Sequence, residues 1–314
     1  MSAIKAMTPK KEKTKKKYDK NTVIFAYLML TTEIIGFFVF TLYPILWSVR
    51  LSWFSYDGVA SNTRFVGWTN YINVFTKDTT YWKALLTTLQ FTVLKIPIEL
   101  SIALFLAVLL TKKLKGSGFF RTMFFMPHVI SVAIVGLIFT NMFSFFGIVN
   151  NYLVKAGALA GNIDWFAKKN TAMSILVIAS IWQTAGINVL YFISALSNVP
   201  EELYEAAKID GAGTWRLFWS VTLPGIAPVF QIILMMSIIG TIHTSDIVLV
   251  LTGGAPGGQT YTVMPYLTGT YVPGFADSGV NIGYGCALAV VTAVILAIIT
   301  LIYNKYSAKL SENM

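Results

Sequence analysis

Residues 202–224 read ELYEAAKIDGAGTWRLFWSVTLP, a polar island between two long apolar segments. Asn198 is placed to cap a helix that starts at Val199 and Pro200, with Glu201 and Glu202 in its first turn, where negative charge suits the helix dipole. Gly211 ends that helix as the residue past its C-terminus, the position where glycine takes up the left-handed turn. Thr214 is placed to cap a second helix from Trp215 onward, so residues 199–224 read as helix, tight Gly/Ala turn, helix. Ala206, Ala207, Gly211, Ala212 and Gly213 are small enough to let another protein's surface come close. The plainer alternative is an amphipathic helix lying at a membrane interface. Such a helix has no need of an acid, a small pair, Asp-Gly-Ala and Leu-Pro together at this spacing.

Outside the island the chain is built for a bilayer. Its 314 residues are 55% hydrophobic and only 12% charged, against roughly a quarter charged in soluble domains. Apolar runs long enough to cross about 30 Å of hydrocarbon fall at 23–46, 84–110, 119–142, 171–196, 226–251 and 280–303. Six spans put both termini on one side. The expected organisation is a basic tail at 1–22, a six-span membrane domain at 23–303 and a short tail at 304–314. Lysines crowd the first tail from Lys5 to Lys20. Lys112, Lys113, Lys115 and Arg121 follow the second span, Lys208 and Arg216 lie in the island, and Lys305 and Lys309 follow the last span. The opposite loops hold fewer basic residues, so both termini and the island are expected in the cytoplasm. The net charge of +10 is therefore a topological signal, and no nucleic-acid motif accompanies it. The lysine tail reads as a solvated or headgroup-binding arm, uncleaved, because the apolar run after it is too long for a signal peptide. A lone cysteine, Cys286, excludes an intramolecular disulfide.

The order Glu205-Ala206-Ala207, Asp210-Gly211-Ala212, Leu223-Pro224 resembles the cytoplasmic coupling loop, the "EAA" loop, of importer-type ABC transporter permeases. The stretches Leu42-Tyr43-Pro44-Ile45-Leu46, Ser52-Trp53-Phe54 and Phe65 to Tyr71 resemble the sugar permeases of that class, the group containing the maltose permease subunits. So do Arg121-Thr122-Met123-Phe124-Phe125-Met126-Pro127 and Leu251 to Gly258. The resemblance covers nearly the whole chain. It implies an all-α integral membrane protein of the type I importer permease architecture, with six spans and coupling helices between the fourth and fifth. Glu205, Ala206, Ala207, Asp210, Gly211 and Ala212 would dock into a cytoplasmic ATPase dimer. The implied partners are that dimer, a second homologous permease and an extracytoplasmic sugar-binding protein, in a cell membrane, carrying a sugar or oligosaccharide. Gly253 to Gly258 lacks the Gly-Lys-Ser/Thr ending of a phosphate loop and no Walker-type sequence occurs. ATP therefore belongs to the partner, and no cofactor, nucleophile or metal cluster marks the chain as an enzyme.

Polar side chains at membrane depth are costly and generally face a protein interior or wet cavity. Counted at about 1.5 Å per residue, Gln183 and Thr184 in the fourth span and Thr241, His243 and Thr244 in the fifth fall at similar depth. Neutral hydrogen-bonding groups of this kind suit sugar hydroxyls. In maltose-permease-like proteins the substrate is held by these two spans, which adds Asn188 and Tyr191 to the expected binding set. Ala185, Gly186 and Ile187 depart from the pattern, standing where bulkier groups would contact the sugar. Cross-helix packing is the alternative role for the whole set. His243 is not expected to ligate metal, because the other histidine, His128, falls near the cytoplasmic side of the third span. Glu33 and Lys95 both fall near the midplane and are expected to form an ion pair between the first two spans, while Lys95 and Glu99 share a helical face at i,i+4. A proton- or ion-coupled carrier using Glu33, Lys95, Glu99 and Asp246 is the rival class, and an ABC permease for a phosphorylated polyol a third. Gly283, Gly285, Ala287 and Ala289 in the last span mark close helix packing or a subunit interface.

Overall fold

In a computed structural model the π turn Phe38–Leu42 precedes Pro44, and the π turn Phe218–Thr222 precedes Pro224. Proline has no N–H for the helical ladder and crowds the carbonyl four residues back, and a π turn absorbs that mismatch without ending the helix. The structure describes residues 19–111, 116–244, 246–272, 274–276 and 280–312, without the side chains of residues 22, 23, 26 and 308–312. The lysines of the expected tail up to residue 18, Lys112, Lys113, Lys115 and the Lys309 side chain lie outside the described residues.

The chain divides at residue 50 into two units. The first is one helical rod, α1 (Lys20–Phe37), the π turn, and α2 (Tyr43–Leu51). Nothing in its apolar window is buried within the unit. Trp47 stacks on Tyr43 at 6.1 Å and carries the Arg50 guanidinium 5.1 Å above its ring.

The second unit begins with a two-stranded ribbon that pairs Phe54 with Phe65 and Ser55 with Arg64. Then come α3 (Thr69–Thr76), α4 (Thr79–Thr111), α5 (Ser117–Val129), α6 (Val132–Met142), α7 (Ile148–Lys155) and α8 (Lys169–Ser197). α9 (Glu201–Ile209), α10 (Thr214–Leu217), α11 (Leu223–His243), α12 (Asp246–Leu251), α13 (Val263–Tyr271) and α14 (Ile282–Glu312) complete it. Among the described residues of the whole chain, five helices are long and apolar enough to cross a membrane, and six if the α5–α6 pair counts as one span. Six was the expected number.

Two expected spans are not straight. The third is broken between α5 and α6, which meet at 93°, because Ile130 and Ser131 are extended (ψ 137° and 136°) and Pro127 gives the last turn of α5 no N–H. The fifth, expected at 226–251, is helical from Thr214 through the π turn to His243 and then breaks at Thr244 (ψ 114°) before α12. The second halves, α6 and α12, pack on each other so closely that a Cβ on Gly136 of α6 would lie 2.4 Å from Val250 Cγ1 of α12.

Apolar burial occurs in three clusters. One joins α4 from Ile96 to Leu110 with α8 from Val189 onward and with Ile226 and Ile233 of α11. The second joins Phe91 of α4 to α6, α8 up to Ala179, and α12. The third ties α3, α4, α13 and α14 together. Between the first and second, α4 and α8 carry polar residues instead of apolar ones. α13 and α14 are fastened to the start of α4 by Asp78, which accepts from the Tyr81 backbone N–H at 2.8 Å, the Tyr284 hydroxyl at 2.9 Å and the Tyr266 hydroxyl at 3.1 Å. Burial raises the Tyr266 and Tyr271 phenols above their ordinary value. The small residues of the last span serve packing within this unit. A Cβ on Gly283 would lie 1.9 Å from the Phe54 carbonyl oxygen, and one on Gly285 2.5 Å from Tyr271 Cβ.

Candidate functional site

The polar layer between the two apolar clusters is built on a buried charge pair. Lys95 and Glu99 are 4% and 1% exposed, and Lys95 Nζ lies 3.3 Å from Glu99 Oε2 one turn along α4. A lone charge there would be far costlier than a pair, so the rest of the layer is arranged to satisfy it. Lys95 Nζ donates to Thr241 Oγ1 of α11 at 3.1 Å, and Glu99 Oε1 accepts from Thr184 Oγ1 at 2.7 Å and Asn188 Nδ2 at 2.8 Å, both on α8. Three helices are thus joined through one ion pair. Lys95 takes its acid from its own helix, at the i,i+4 spacing that holds the two on one face. Glu33 belongs to the N-terminal unit and is exposed there.

Against this layer lies a cavity of about 420 Å³, within the range of about 300–1,000 Å³ usual for small-molecule sites. It sits where the two broken spans turn. α5 and the α5–α6 break supply His128, Ile130 and Ser131, the end of α11 supplies His243 and Thr244, and α8 supplies Ser180, Gln183 and Thr184. Broken helices place backbone polar groups at a site that an unbroken apolar span would seal, and side chains beside the break inherit access to it. Ser180 and Gln183 are 2% and 8% exposed and make no side-chain hydrogen bond among the described residues, so their hydrogen-bonding capacity is open to the cavity. A groove of about 600 Å³ between α4 and Trp215, Phe218 and Trp219 is larger, but its walls offer a polar solute almost nothing beyond Ser101 and Thr214.

Of the expected binding residues, Gln183, Thr184, His243 and Thr244 line the cavity. Thr241 and Asn188 lie behind it, bonded to Lys95 and Glu99. Tyr191 is 39% exposed and away from it. His128 is a correction: at the last turn of α5, beside the break at Ile130–Ser131, it lines the same cavity as His243. Among the described residues there is still no group of three His, Cys, Asp or Glu that could hold a metal. Gly186 faces α5, where a Cβ would lie 2.0 Å from the Phe124 carbonyl oxygen, so its smallness serves helix contact. Ser180 and Ser131 were not anticipated. Ser180 was within reach of sequence reasoning, one turn before Gln183 and Thr184 on the same face. Ser131 required knowing where the span breaks.

The polar island folds as helix, turn, helix, with both caps displaced. Asn198 is the C-terminal cap of α8 and Pro200 precedes α9, which carries Glu201 and Glu202 in its first turn. Thr214 is the first residue of α10 and not its cap. The turn is as expected: Gly211 has φ +78°, its N–H bonds the Lys208 carbonyl at 3.0 Å and that of Ala212 the Ala207 carbonyl at 2.9 Å. This paired arrangement closes a helix on a left-handed glycine. Glu205, Ala206, Asp210 and Gly211 are exposed, beside Ile209 at 86% and Trp215 at 78% exposure. An exposed surface of small, acidic and large apolar side chains is suited to a protein partner. The Tyr204 hydroxyl bonds Thr222 Oγ1 at 3.2 Å and holds the two arms together.

Comparison with known proteins places both regions in context. Residues 99–312 match the family described as binding-protein-dependent transport system inner membrane component. The chain is 36% identical over 275 residues to a lactose transport system permease protein of Rhizobium radiobacter, covering 86% of this chain and 90% of that one. It is 35% identical over 285 residues to an arabinooligosaccharides transport system permease protein of Bacillus subtilis, covering 90% and 88%. In fold it is similar to a chain of a bacterial alginate ABC transporter crystallised with a periplasmic protein bound to an alginate pentasaccharide, with a TM-score of 0.78 at 21% identity, covering 93% of this chain and 96% of that one.

Proposed function

The chain belongs to the family of binding-protein-dependent transport system inner membrane components, and from that premise we propose that it carries a sugar or oligosaccharide through the 420 Å³ cavity of an ATP-driven importer. The observation that carries the proposal is the α8 face of buried Ser180 and Gln183 and half-buried Thr184, neutral side chains that open on a cavity between two broken spans. Neutral donors and acceptors on this face match sugar hydroxyls, and Asp246 adds a carboxylate elsewhere in the cavity lining.

The working assembly is this permease, a second homologous one, a cytoplasmic ATPase dimer and an extracytoplasmic binding protein, with both termini and the 199–224 loop in the cytoplasm. Glu205, Ala206, Ala207, Asp210, Gly211 and Ala212 form the face that docks on the ATPase. The helical run Thr214–His243 leads from that loop to His243 and Thr244 in the cavity wall. Its 30 residues span about 45 Å at 1.5 Å per residue. A displacement imposed at the loop is delivered at the cavity as rigid-body motion between alternative packings. A proton-coupled carrier is not favoured, since the chain belongs to the binding-protein-dependent family and Lys95 and Glu99 neutralise each other within one helix, although Asp246 lines the cavity.

Affinity purification of the tagged chain from its native membranes tests this reading, followed by uptake of radiolabelled lactose, arabinobiose and glycerol phosphate into proteoliposomes. The expected result is a Walker-motif ATPase and a second six-span permease in stoichiometric amounts, with ATP-dependent uptake of a neutral sugar. A chain that purifies alone, or that imports only the phosphate ester, overturns it.

A further inference from the structure

Thr184 has one hydroxyl proton and two oxygens placed to take it, Glu99 Oε1 at 2.7 Å and the Ser180 carbonyl at 2.8 Å. Whichever takes it, the proton is spent inside the wall, and the hydroxyl presents only lone pairs to the cavity it lines. A carboxylate accepts more strongly than a neutral carbonyl. Glu99 is also held in place by Asn188 Nδ2 at 2.8 Å on one oxygen and by Lys95 Nζ at 3.3 Å on the other. Ser180 and Gln183, on the same face, have no such constraint and can donate or accept.

We propose that Glu99, held by Lys95, is a positioning residue that fixes Thr184 as an acceptor-only contact, so that the cavity selects a solute offering a hydroxyl proton at that point. An ether, fluorine or carboxylate oxygen brought to the same place meets lone pairs with lone pairs and leaves a desolvated acceptor unpaired. The inference rests on the cavity being the sugar site. It adds a direction to the recognition: along this face of α8, two contacts adapt to the solute and one does not.

The test uses the full chain with its copurified partners in proteoliposomes, with lactose and its single-position deoxyfluoro derivatives as probes. Fluorine occupies a hydroxyl's place without a proton to donate. Thr184→Val is expected to raise the KM for lactose about tenfold, the effect of one lost hydrogen bond of ordinary strength, with Thr184→Ser restoring it. One fluorinated position is expected to cost the wild type about the same and to cost Thr184→Val nothing further. Losses that multiply, or no fluorinated position that is penalised, overturn acceptor-only recognition. Infrared difference spectra of wild type against Glu99→Gln/Lys95→Met isolate the Glu99 carboxylate band without any solute. Thr184→Val is expected to shift that band, and an unmoved band overturns the role of Glu99 even if sugars are transported. Absence of uptake of both lactose and arabinobiose by the wild type counts against the sugar reading, while the band shift still decides whether Glu99 holds the Thr184 proton.

Discussion

Lys95 and Glu99 owe their place to each other: at 4% and 1% exposure, each is tolerable only while the other is ionised beside it. Replacing one partner leaves a buried charge uncompensated, a loss of about 3–5 kcal/mol, whereas removing both in favour of apolar or neutral groups costs much less. Lys95→Met and Glu99→Gln are therefore expected to destabilise the purified protein strongly as single variants and far less together, as measured by thermal denaturation in detergent. Equal, additive losses would show that the contact carries no coupling. The same cycle run with Glu33→Gln and Lys95→Met decides whether the two charges near the midplane also meet, with zero coupling ruling it out. The i,i+4 pairing was legible in the sequence because helical spacing alone puts Lys95 and Glu99 on one face. Its extension to Thr184, Asn188 and Thr241 was not, since nothing local tells which face of α8 or α11 turns toward α4.

Helix length and apolarity were readable from composition, and helix continuity was not. The third apolar run reads as one span because Val129, Ile130 and Val132 are as hydrophobic as their neighbours, yet extended backbone at Ile130 and Ser131 divides it. Hydropathy measures transfer to lipid and is indifferent to φ and ψ. Pro44 and Pro224 each follow a π turn and Pro97 and Pro228 sit within α4 and α11, and none of the four ends its helix. Close approach was legible in the last span from Gly283 and Gly285, but hidden at Gly186, which reads only as a departure from the expected sugar-contacting pattern. Its hydrogen faces the Phe124 carbonyl, and a Cβ there would lie 2.0 Å away, so α5 must shift to admit even alanine. Gly186→Ala is expected to cost about 1–3 kcal/mol through overpacking. Gly118→Ala in α5, where nothing lies within 4 Å, is expected to be neutral or slightly stabilising because alanine favours the helix. Equal melting temperatures for the two variants would mean that α5 and α8 do not pack as described.

For the whole molecule the informative segment was the polar island between the fourth and fifth spans. The turn at Gly211 was legible because a positive φ of +78° is reached readily by glycine and at a cost of about 1–2 kcal/mol by other residues. The caps at Asn198 and Thr214 were misplaced by a few residues because α8 runs to Ser197 and α10 starts on Thr214 itself, a boundary that packing decides and local sequence does not. The docking proposal depends on the exposed surface between those limits, and it separates folding from coupling. Gly211→Asp meets no atom within 4 Å, so its folding penalty is the backbone strain alone, about 1–2 kcal/mol. Glu205→Lys alters an exposed side chain, where substitutions usually stay within about 0.5 kcal/mol. Both variants should reach the membrane at near-normal abundance and copurify with less ATPase, and the ATP hydrolysis that remains should no longer drive uptake. Immunoblots of membranes, ATPase release of phosphate and uptake in the same vesicles measure the three quantities independently. Abundance that collapses would place the segment in folding, and uptake at the wild-type rate in both variants would remove it from the pathway by which ATP moves the solute.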